Sequence, residues 1–559
     1  WLETASLERL HTMTTTETAG SVSRPSPLAP LRITAFRWLW LGVVMGTVGA
    51  FAQTVGAQWL FVDDPHADTI VPLVQTAMAL PTVLLAFPAG VLADAFDRRW
   101  IMLGVQIYFF AVSTGLAVLT YLGQMTPPLL LGFTFALGVG TALQLPTWGP
   151  IIAELVPRDQ LAAATRLDMI NVNVARAIGP ALAGFIIARW GVPPVFLFNA
   201  LSVLFLIAAL VLWNSREPAA SNGRERFIPA LRAGGRYVRH EPVVRRILIR
   251  LAAFVAPAAA MWALLPLIAA RQLGMSAAGY GALFLGISVG AVTGALTVGQ
   301  TLRHLSSNAM VAVAGLCFGA PFALVAFAPS LWVALPLLAI AGYGWTVTAA
   351  VLMGELQLFL PSWVRARAIA IYLMVFMACQ ALAAPIWGAM TTVFGLQWAV
   401  VIAGGLAAST AVLAKLVPIQ ENETLDRGVV EFWSTANLPF EPLPDAGPIA
   451  VSVEYDVPRN EEDNFLEAME DMRRSRRRNG AVRWDLYRVG EKPHRFVELF
   501  VVPSWEEHIR QHSERLTPED QRAEEVAFAY TVRTPKGRHL LPPRGLDLTE
   551  EQLQHGGPE

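Results

Sequence analysis

The sequence predicts an all-α polytopic membrane protein, with twelve transmembrane helices in two six-helix parallel repeats, followed by a small C-terminal α+β domain. Three observations predict it. The first is charge. Of 559 residues, 54% are hydrophobic and 15% charged, whereas a soluble domain carries about 25% charge. The deficit is confined to one part of the chain. Residues 1–417 hold 24 basic and 15 acidic residues, a net of +9; residues 418–559 hold 18 and 28, a net of −10. A single soluble globule, a disordered chain and a disulfide scaffold are excluded. The second is a series of apolar runs, each near the roughly 20 residues that cross a bilayer core as a helix. The third is an internal repeat at an offset of 204 residues. Gly90 falls on Gly294, Gly138 on Gly342, Gly140 on Gly344, Pro157 on Pro361, Gly184 on Gly388 and Gly191 on Gly395. Six spans per half is an even number, so the halves share one orientation, as parallel repeats do.

Residues 1–36 form a polar tail without the basic start and apolar centre of a signal peptide. Met13 is an expected true start. Spans are expected at 38–62, 70–93, 100–122, 128–153, 168–188 and 193–214, the N-terminal half being 37–214. A loop at 215–245, rich in arginine, divides the halves. It is read as a topology-setting inner loop, with anionic lipid as an alternative partner. The C-terminal half, 246–417, carries spans at 246–270, 278–300, 308–328, 331–356, 368–392 and 396–417. Basic residues crowd one set of loops (Arg98, Arg99, Arg158, Arg166, Arg365, Arg367), and only Arg189 and Arg271 lie in the other. By the positive-inside rule both termini and the C-terminal domain are cytoplasmic, in a bacterial-type inner membrane. Trp38, Trp40 and Trp59 suit interfacial anchors. Asp63, Asp64 and Asp68 read as a solvated face. Cys317 and Cys379 sit in apolar runs and read as small hydrophobes.

The most specific segment joins spans 2 and 3, Gly90-Val-Leu-Ala-Asp94-Ala-Phe-Asp97-Arg98-Arg99. It resembles the signature loop of the major facilitator superfamily, with Asp97 where the family has a second glycine. That resemblance implies a gating latch made by Asp94 and Arg98. Val298 and Leu302 stand at the equivalent places in the second half, so any latch is asymmetric. At the end of span 4, Glu154-Leu-Val-Pro157-Arg158-Asp159-Gln160 is a second signal. Glu154 is expected to pair with an inner-loop arginine such as Arg98 or Arg158. Ionisable residues inside spans are functional candidates by default. Arg176 lies well inside span 5 and suits either an anionic substrate group or a structural ion pair. Asp168, Glu154, Glu355, Asn171 and Asn173 are further candidates for transport or coupling. Gln53, Gln58, Gln144, Asn199, Gln357 and Gln380 add polar groups. Gly179, Pro180 and Gly184 should bend span 5 and allow tight packing, and they loosely resemble the span-5 motif of drug:proton antiporters.

With twelve spans, these two loops and an attached soluble tail, the chain resembles the transmembrane secretion effectors, relatives of the enterobactin-type siderophore exporters. The resemblance implies proton-coupled export of a small molecule by alternating access, with cargo, protons and lipid as partners, no cofactor and no metal. Import, or a transporter fused to an enzyme acting on the cargo, are the alternatives.

After a linker at 418–446, the domain at 447–540 reads as strand 449–457, helix 459–478, strands 481–489 and 495–502, then helices 504–515 and 518–528, with 541–559 as a tail. The order is ferredoxin-like. It resembles the antibiotic-biosynthesis-monooxygenase-like domains through Gly480-Ala-Val-Arg-Trp484, Phe496-Val-Glu498 and Ser504-Trp505-Glu-Glu-His508. Trp484, Glu498, Trp505 and His508 are its candidate residues. The expected role is dimerisation or regulation, not catalysis. His508 and His512 stand one turn apart, but no Cys or carboxylate cluster completes a metal site there. A solvated helix face is expected.

Overall fold

The computed structural model describes residues 26–213, 227–302, 304–419 and 442–542, together with 430 and 438; side chains 87, 94 and 227–233 are outside the described set. Twelve helices in it are long and apolar enough to cross a membrane. In chain order the first half contributes α1 (Thr34–Trp59), α2 (Ala67–Ala95), α3 (Arg98–Tyr121), α4 (Pro127–Leu155), α5 (Leu161–Trp190) and α6 (Pro193–Leu212). A further helix, α7 (Phe227–His240), lies between the halves, where the sequence had indicated only a loop. The second half is α8 (Pro242–Leu267), α9 (Ala277–Thr301), α10 (Ser307–Val325), α11 (Leu331–Phe359), α12 (Ser362–Phe394) and α13 (Leu396–Ser409).

The repeated glycines are where helices approach most closely. Lipid offers no hydrophobic force between spans, so small residues that admit backbone contact hold them together. A Cβ on Gly138 would stand 2.6 Å from the Met78 carbonyl of α2, and one on Gly342 would stand 2.2 Å from the Ile287 carbonyl of α9. Gly184 packs on Ala277 at the start of α9, and Gly388 packs on Asp68 and Pro72 at the start of α2. Gly191 and Gly395 end α5 and α12 with φ of 83° and 82°, a region L side chains rarely adopt. The offset of 204 residues is therefore a repeat of contacts. Gly290 is the tightest among the glycines of the described residues, its added Cβ 1.7 Å from the Ala339 carbonyl. Gly290→Ala should force α9 and α11 apart at a cost of about 1–3 kcal/mol, read as a lower melting temperature in detergent; an unchanged melt would show that the pair relaxes freely.

Twelve spans return the chain to the side it started from, so one end of the bundle carries both termini. Between described residues, the hydrogen bonds that join the halves lie toward the opposite end. Gln58 Nε2 donates to the Trp262 carbonyl at 3.1 Å and Tyr280 Oη donates to Gln58 Oε1 at 2.6 Å. Thr76 Oγ1 donates to the Ala381 carbonyl at 2.8 Å. Arg271 bridges to Asp68 at 2.8 Å, so Asp68 is an inter-half partner and not part of a solvated face. Trp59 stacks on Tyr280, centroids 5.7 Å apart, where an interfacial anchor was expected. Bonds of this kind in a membrane average about 0.6 kcal/mol, so the seal rests on several at once.

The C-terminal domain is β1 (Ile449–Asp456), α14 (Glu462–Asn479), β2 (Arg483–Arg488), β3 (Arg495–Val502), α15 (Trp505–Arg510), α16 (Pro518–Ala529) and β4 (Lys536–Leu540). All pairings are antiparallel, in the order β2-β3-β1-β4, the ferredoxin-like arrangement. Strand alternation turns Ile449, Val451, Val453 and Tyr455 inward from β1, and Phe496, Glu498, Phe500 and Val502 inward from β3. Ser504 caps α15, accepting from the Glu507 amide at 3.3 Å, as its position suggests. The edge strand β4 was not expected. It is short, basic and exposed along most of its length, which hides the period-2 signal.

Candidate functional site

The first half encloses a cavity of about 370 Å³ between α1, α2, α3, α4 and α6, lined by Phe51, Gln53, Thr54, Gln106, Gln144 and Asn199 among others. Its polar lining is neutral. Ser113 Oγ donates to Gln53 Oε1 at 3.0 Å, and Asn199 Nδ2 donates to both Gln53 Oε1 and Ser113 Oγ. Gly49 makes room for this network, since a Cβ there would stand 2.5 Å from Asn199 Oδ1. Asn199 Oδ1 is buried without a partner among the described residues. A buried acceptor left unpaired costs about 1–3 kcal/mol, which suits a group reserved for solvent or cargo.

Arg176 is the sixteenth residue of the thirty in α5, so it lies at mid-depth. It is half-buried, and its guanidinium sits 6.0 Å from the ring of Phe51, a cavity residue. Among described residues it has neither an ion pair nor a hydrogen bond. One turn further on, Gly179 lets α5 close on α1, where a Cβ would meet Phe51 and the Val48 carbonyl. Pro180 and Gly184 take the α9 side, the Pro180 carbonyl standing 2.7 Å from a Cβ on Gly281. Asn171, one turn before Ala175, is buried with Oδ1 unpartnered. Asn173 is exposed and donates to the Met169 carbonyl at 2.9 Å.

The loop between α2 and α3 is built as a helix start. Asp97 is the N-cap of α3, accepting from the Arg99 amide at 2.8 Å, which accounts for an aspartate at this place. Arg99 donates to the Leu210 and Val211 carbonyls at 3.0 Å, a cation on the C-terminal end of α6. Arg98 pairs with Glu154 at 2.7 Å. Gly90 lies in α2, and the Asp94 side chain is outside the described set. Asp168 accepts from the indole of Trp148 at 2.9 Å, and Glu355 accepts from Ser307 Oγ. The candidate residues thus do not form one cluster. Glu154, Asp168 and Glu355 sit toward the termini end, and Arg176 sits at mid-depth.

The second half presents groups that sequence reasoning missed. Trp345, Trp262, Phe254, Phe318 and Phe376 form an aromatic cluster with centroids 5.3–6.2 Å apart. Trp262 Nε1, Ser288 Oγ, Thr348 Oγ1 and Gln380 Oε1 are buried without partners among the described residues. Tryptophans and hydroxyls at helical spacing read as ordinary packing, so only Gln380 had stood out.

In the C-terminal domain the four sequence candidates fall into two pairs. Glu498 is fully buried and accepts from Trp484 Nε1 and Tyr455 Oη at 2.7 Å and from Arg476 Nε at 3.1 Å. Burial, and then the charge of Glu498, push the Tyr455 hydroxyl well above its usual range. Trp505 and His508 stack 5.4 Å apart. His508 is buried, so the expectation of a solvated helix face at this position does not hold. The domain docks on the second half and on α7. Arg478 bonds Glu241 at 2.8 Å, Arg236 faces Glu507 at 3.6 Å, and Arg515 lies over the Trp363 ring at 4.8 Å.

Comparison with known proteins adds to this geometry. A family model described as transmembrane secretion effector matches residues 25–542, bundle and domain alike. The staphyloferrin A transporter of Staphylococcus aureus is 22% identical over 273 residues, 49% of this chain and 68% of that protein. The enterobactin exporter EntS of Salmonella typhi is 30% identical over 262 residues, 46% of this chain and 61% of that protein. The match with EntS thus falls short of two thirds of its length. Among solved structures, a bacterial homologue of the human lysosomal transporter Spinster, inward-facing and occupied, superposes with a TM-score of 0.58 at 15% identity, over 69% of this chain and 97% of that one. A D-xylose-proton symporter gives 0.56 at 14%, over 70% and 99%. Twelve spans in two matching halves, and a family model running from before α1 to beyond β4, lead to one assignment: this chain belongs to the transmembrane secretion effector family of major facilitator transporters.

Proposed function

We propose that the chain is a secondary active exporter that moves an anionic small molecule of siderophore or secondary-metabolite type out of the cell, in exchange for protons, by alternating access. The observation that carries this reading is Arg176, a cation at mid-depth with no acidic partner among the described residues, set against a cavity-lining ring. A charge in that place is costly, and an anionic cargo group would offset the cost. The neutral amides of Gln53 and Asn199 suit cargo hydroxyls or carbonyls, and the aromatic cluster of the second half suits a planar ring. The siderophore transporters among the relatives point to the same cargo class.

The basic loops favour a cytoplasmic termini side in a bacterial inner membrane. With the halves bonded toward the opposite end, the arrangement suits loading from the cytoplasm. Asp168, held by a neutral indole and two helical turns from Arg176, is our candidate proton carrier. In inverted vesicles energised by a proton gradient, a carboxylate-bearing siderophore should accumulate, and a protonophore should bring it to the equilibrium level. Accumulation that survives the protonophore would overturn proton coupling, and gradient-driven loss from preloaded vesicles would make the protein an importer.

A further inference from the structure

Three imidazoles converge in the C-terminal domain. His508 lies in α15, His512 lies in the π turn Gln511–Arg515 that follows it, and His539 comes from β4. One nitrogen of each falls within 4.8 Å of the other two, and the His508 and His512 Nε2 atoms are 3.2 Å apart. Two imidazole nitrogens held tetrahedrally at the usual 2.0–2.1 Å from one zinc ion would be about 3.3 Å apart. The rings meet edge to face, His512 at 80° and His539 at 61° to His508. Single-turn π insertions recur at functional sites.

The environment keeps these rings in the form that binds metal. Burial, and then the neighbouring imidazoles, lower His508 to about 3 and His512 to about 4; burial lowers His539. Each shift favours the neutral imidazole, the form that binds a metal. Trp505 walls the cluster, 5.4 Å from His508 and 6.1 Å from His539. Gln511 is fully buried, with its amide against His508. A core that only needed packing would gather apolar side chains and not three imidazoles and an amide.

We propose that His508, His512 and His539 form a three-imidazole site for a divalent first-row transition metal, with solvent as the fourth ligand. Nitrogen donors of this kind suit zinc, cobalt, nickel, copper or ferrous iron and not magnesium or calcium. The site is distinct from the transport cavity and does not depend on the cargo. Glu507 of α15 and Arg515 of the π turn contact Arg236 and Trp363 of the transporter, so the metal would brace the segment on which the domain docks.

The test uses the untagged full-length chain in detergent, stripped with a chelator and titrated with Co²⁺ and then Zn²⁺. One equivalent of Co²⁺ should bind with the intense visible bands of a four-coordinate ion, and one equivalent of Zn²⁺ should bleach them. Outer-shell changes alone weaken metal sites about 10–100-fold, so His512→Ala and His539→Ala should each weaken binding at least about 100-fold. Both residues are half-buried, and the variants should stay folded by circular dichroism. His512→Cys should restore binding with a thiolate-to-cobalt charge-transfer band, which a merely structural histidine would not yield. Sub-stoichiometric Co²⁺, bands of a six-coordinate ion, or equal affinity in wild type and both alanine variants would each overturn the site.

Discussion

Arg176→Gln should reduce export about tenfold to a hundredfold while leaving the protein in the membrane at its normal level. The range follows from the loss of one charge-assisted bond to cargo, about 1.5–3 kcal/mol, at roughly tenfold per 1.4 kcal/mol. The loss should fall on anionic cargo and spare a neutral analogue. Stability should not fall with it, because no acid is left unpaired among the described residues when this guanidinium is removed. Arg176→Lys should recover part of the rate, since charge survives but the planar fork does not. The measurement is initial transport into inverted vesicles beside a detergent melting curve. Wild-type transport in Arg176→Gln would remove this residue from the cargo site, and lost transport with a lowered melt would make it structural.

Arg478→Met should cost about 3–5 kcal/mol, the range for breaking a buried ion pair from one side. Arg478 bonds Asp520 within the domain and Glu241 at the start of α8. Its two main partners are more deeply buried still, with side chains 1% and 5% exposed against its own 8%. Burial pushes Asp520 upward, yet Arg478, Ser475 and Thr517 outweigh it and hold the carboxyl below its usual value. A lowered folded-state value means stability that is present above the ordinary carboxylate range and lost as pH falls from there through the lowered value. The protection factors of amides in α14 and α16, which are exchange rates normalised to the intrinsic rate at each pH, should therefore fall in Arg478→Met at pH 7, and in the wild type below about pH 4. Adding Glu241→Gln and Asp520→Asn to the methionine variant should recover much of the loss, since uncompensated charge is its main cause. Unchanged exchange in the single variant would show that these pairs do not hold the domain.

How much was legible depended on whether a signal was local. The spans were legible because lipid demands length and apolarity of each helix separately. The repeat was legible because close contact requires glycine, and Gly138 with Gly342 and Gly184 with Gly388 keep their offset. Glu498 was singled out from its motif, and strand alternation then put it in the core. Contacts between distant segments were not legible. Asp68 meets Arg271 across 203 positions, and nothing near either residue announces it. Arg476 and Arg478 end a charged amphipathic helix, and only the fold shows that acids await them. The histidine cluster was missed with β4, since its third member belongs to a strand too short, basic and exposed to be recognised.

Gln58 and Trp262 lie in α1 and α8, the first spans of the two halves. Both helices are 26 residues long and match end to end at an offset of 208, so the two residues stand one helical turn from being counterparts. Two parallel copies joined by a tether resemble a dimer, in which equivalent surfaces meet across the two-fold axis. The far seal is made between equivalent helices. Strict symmetry would give each bond a mate of the same kind. Here a side-chain amide in one copy meets a main-chain carbonyl in the other, so the copies diverged at the point where they are held together.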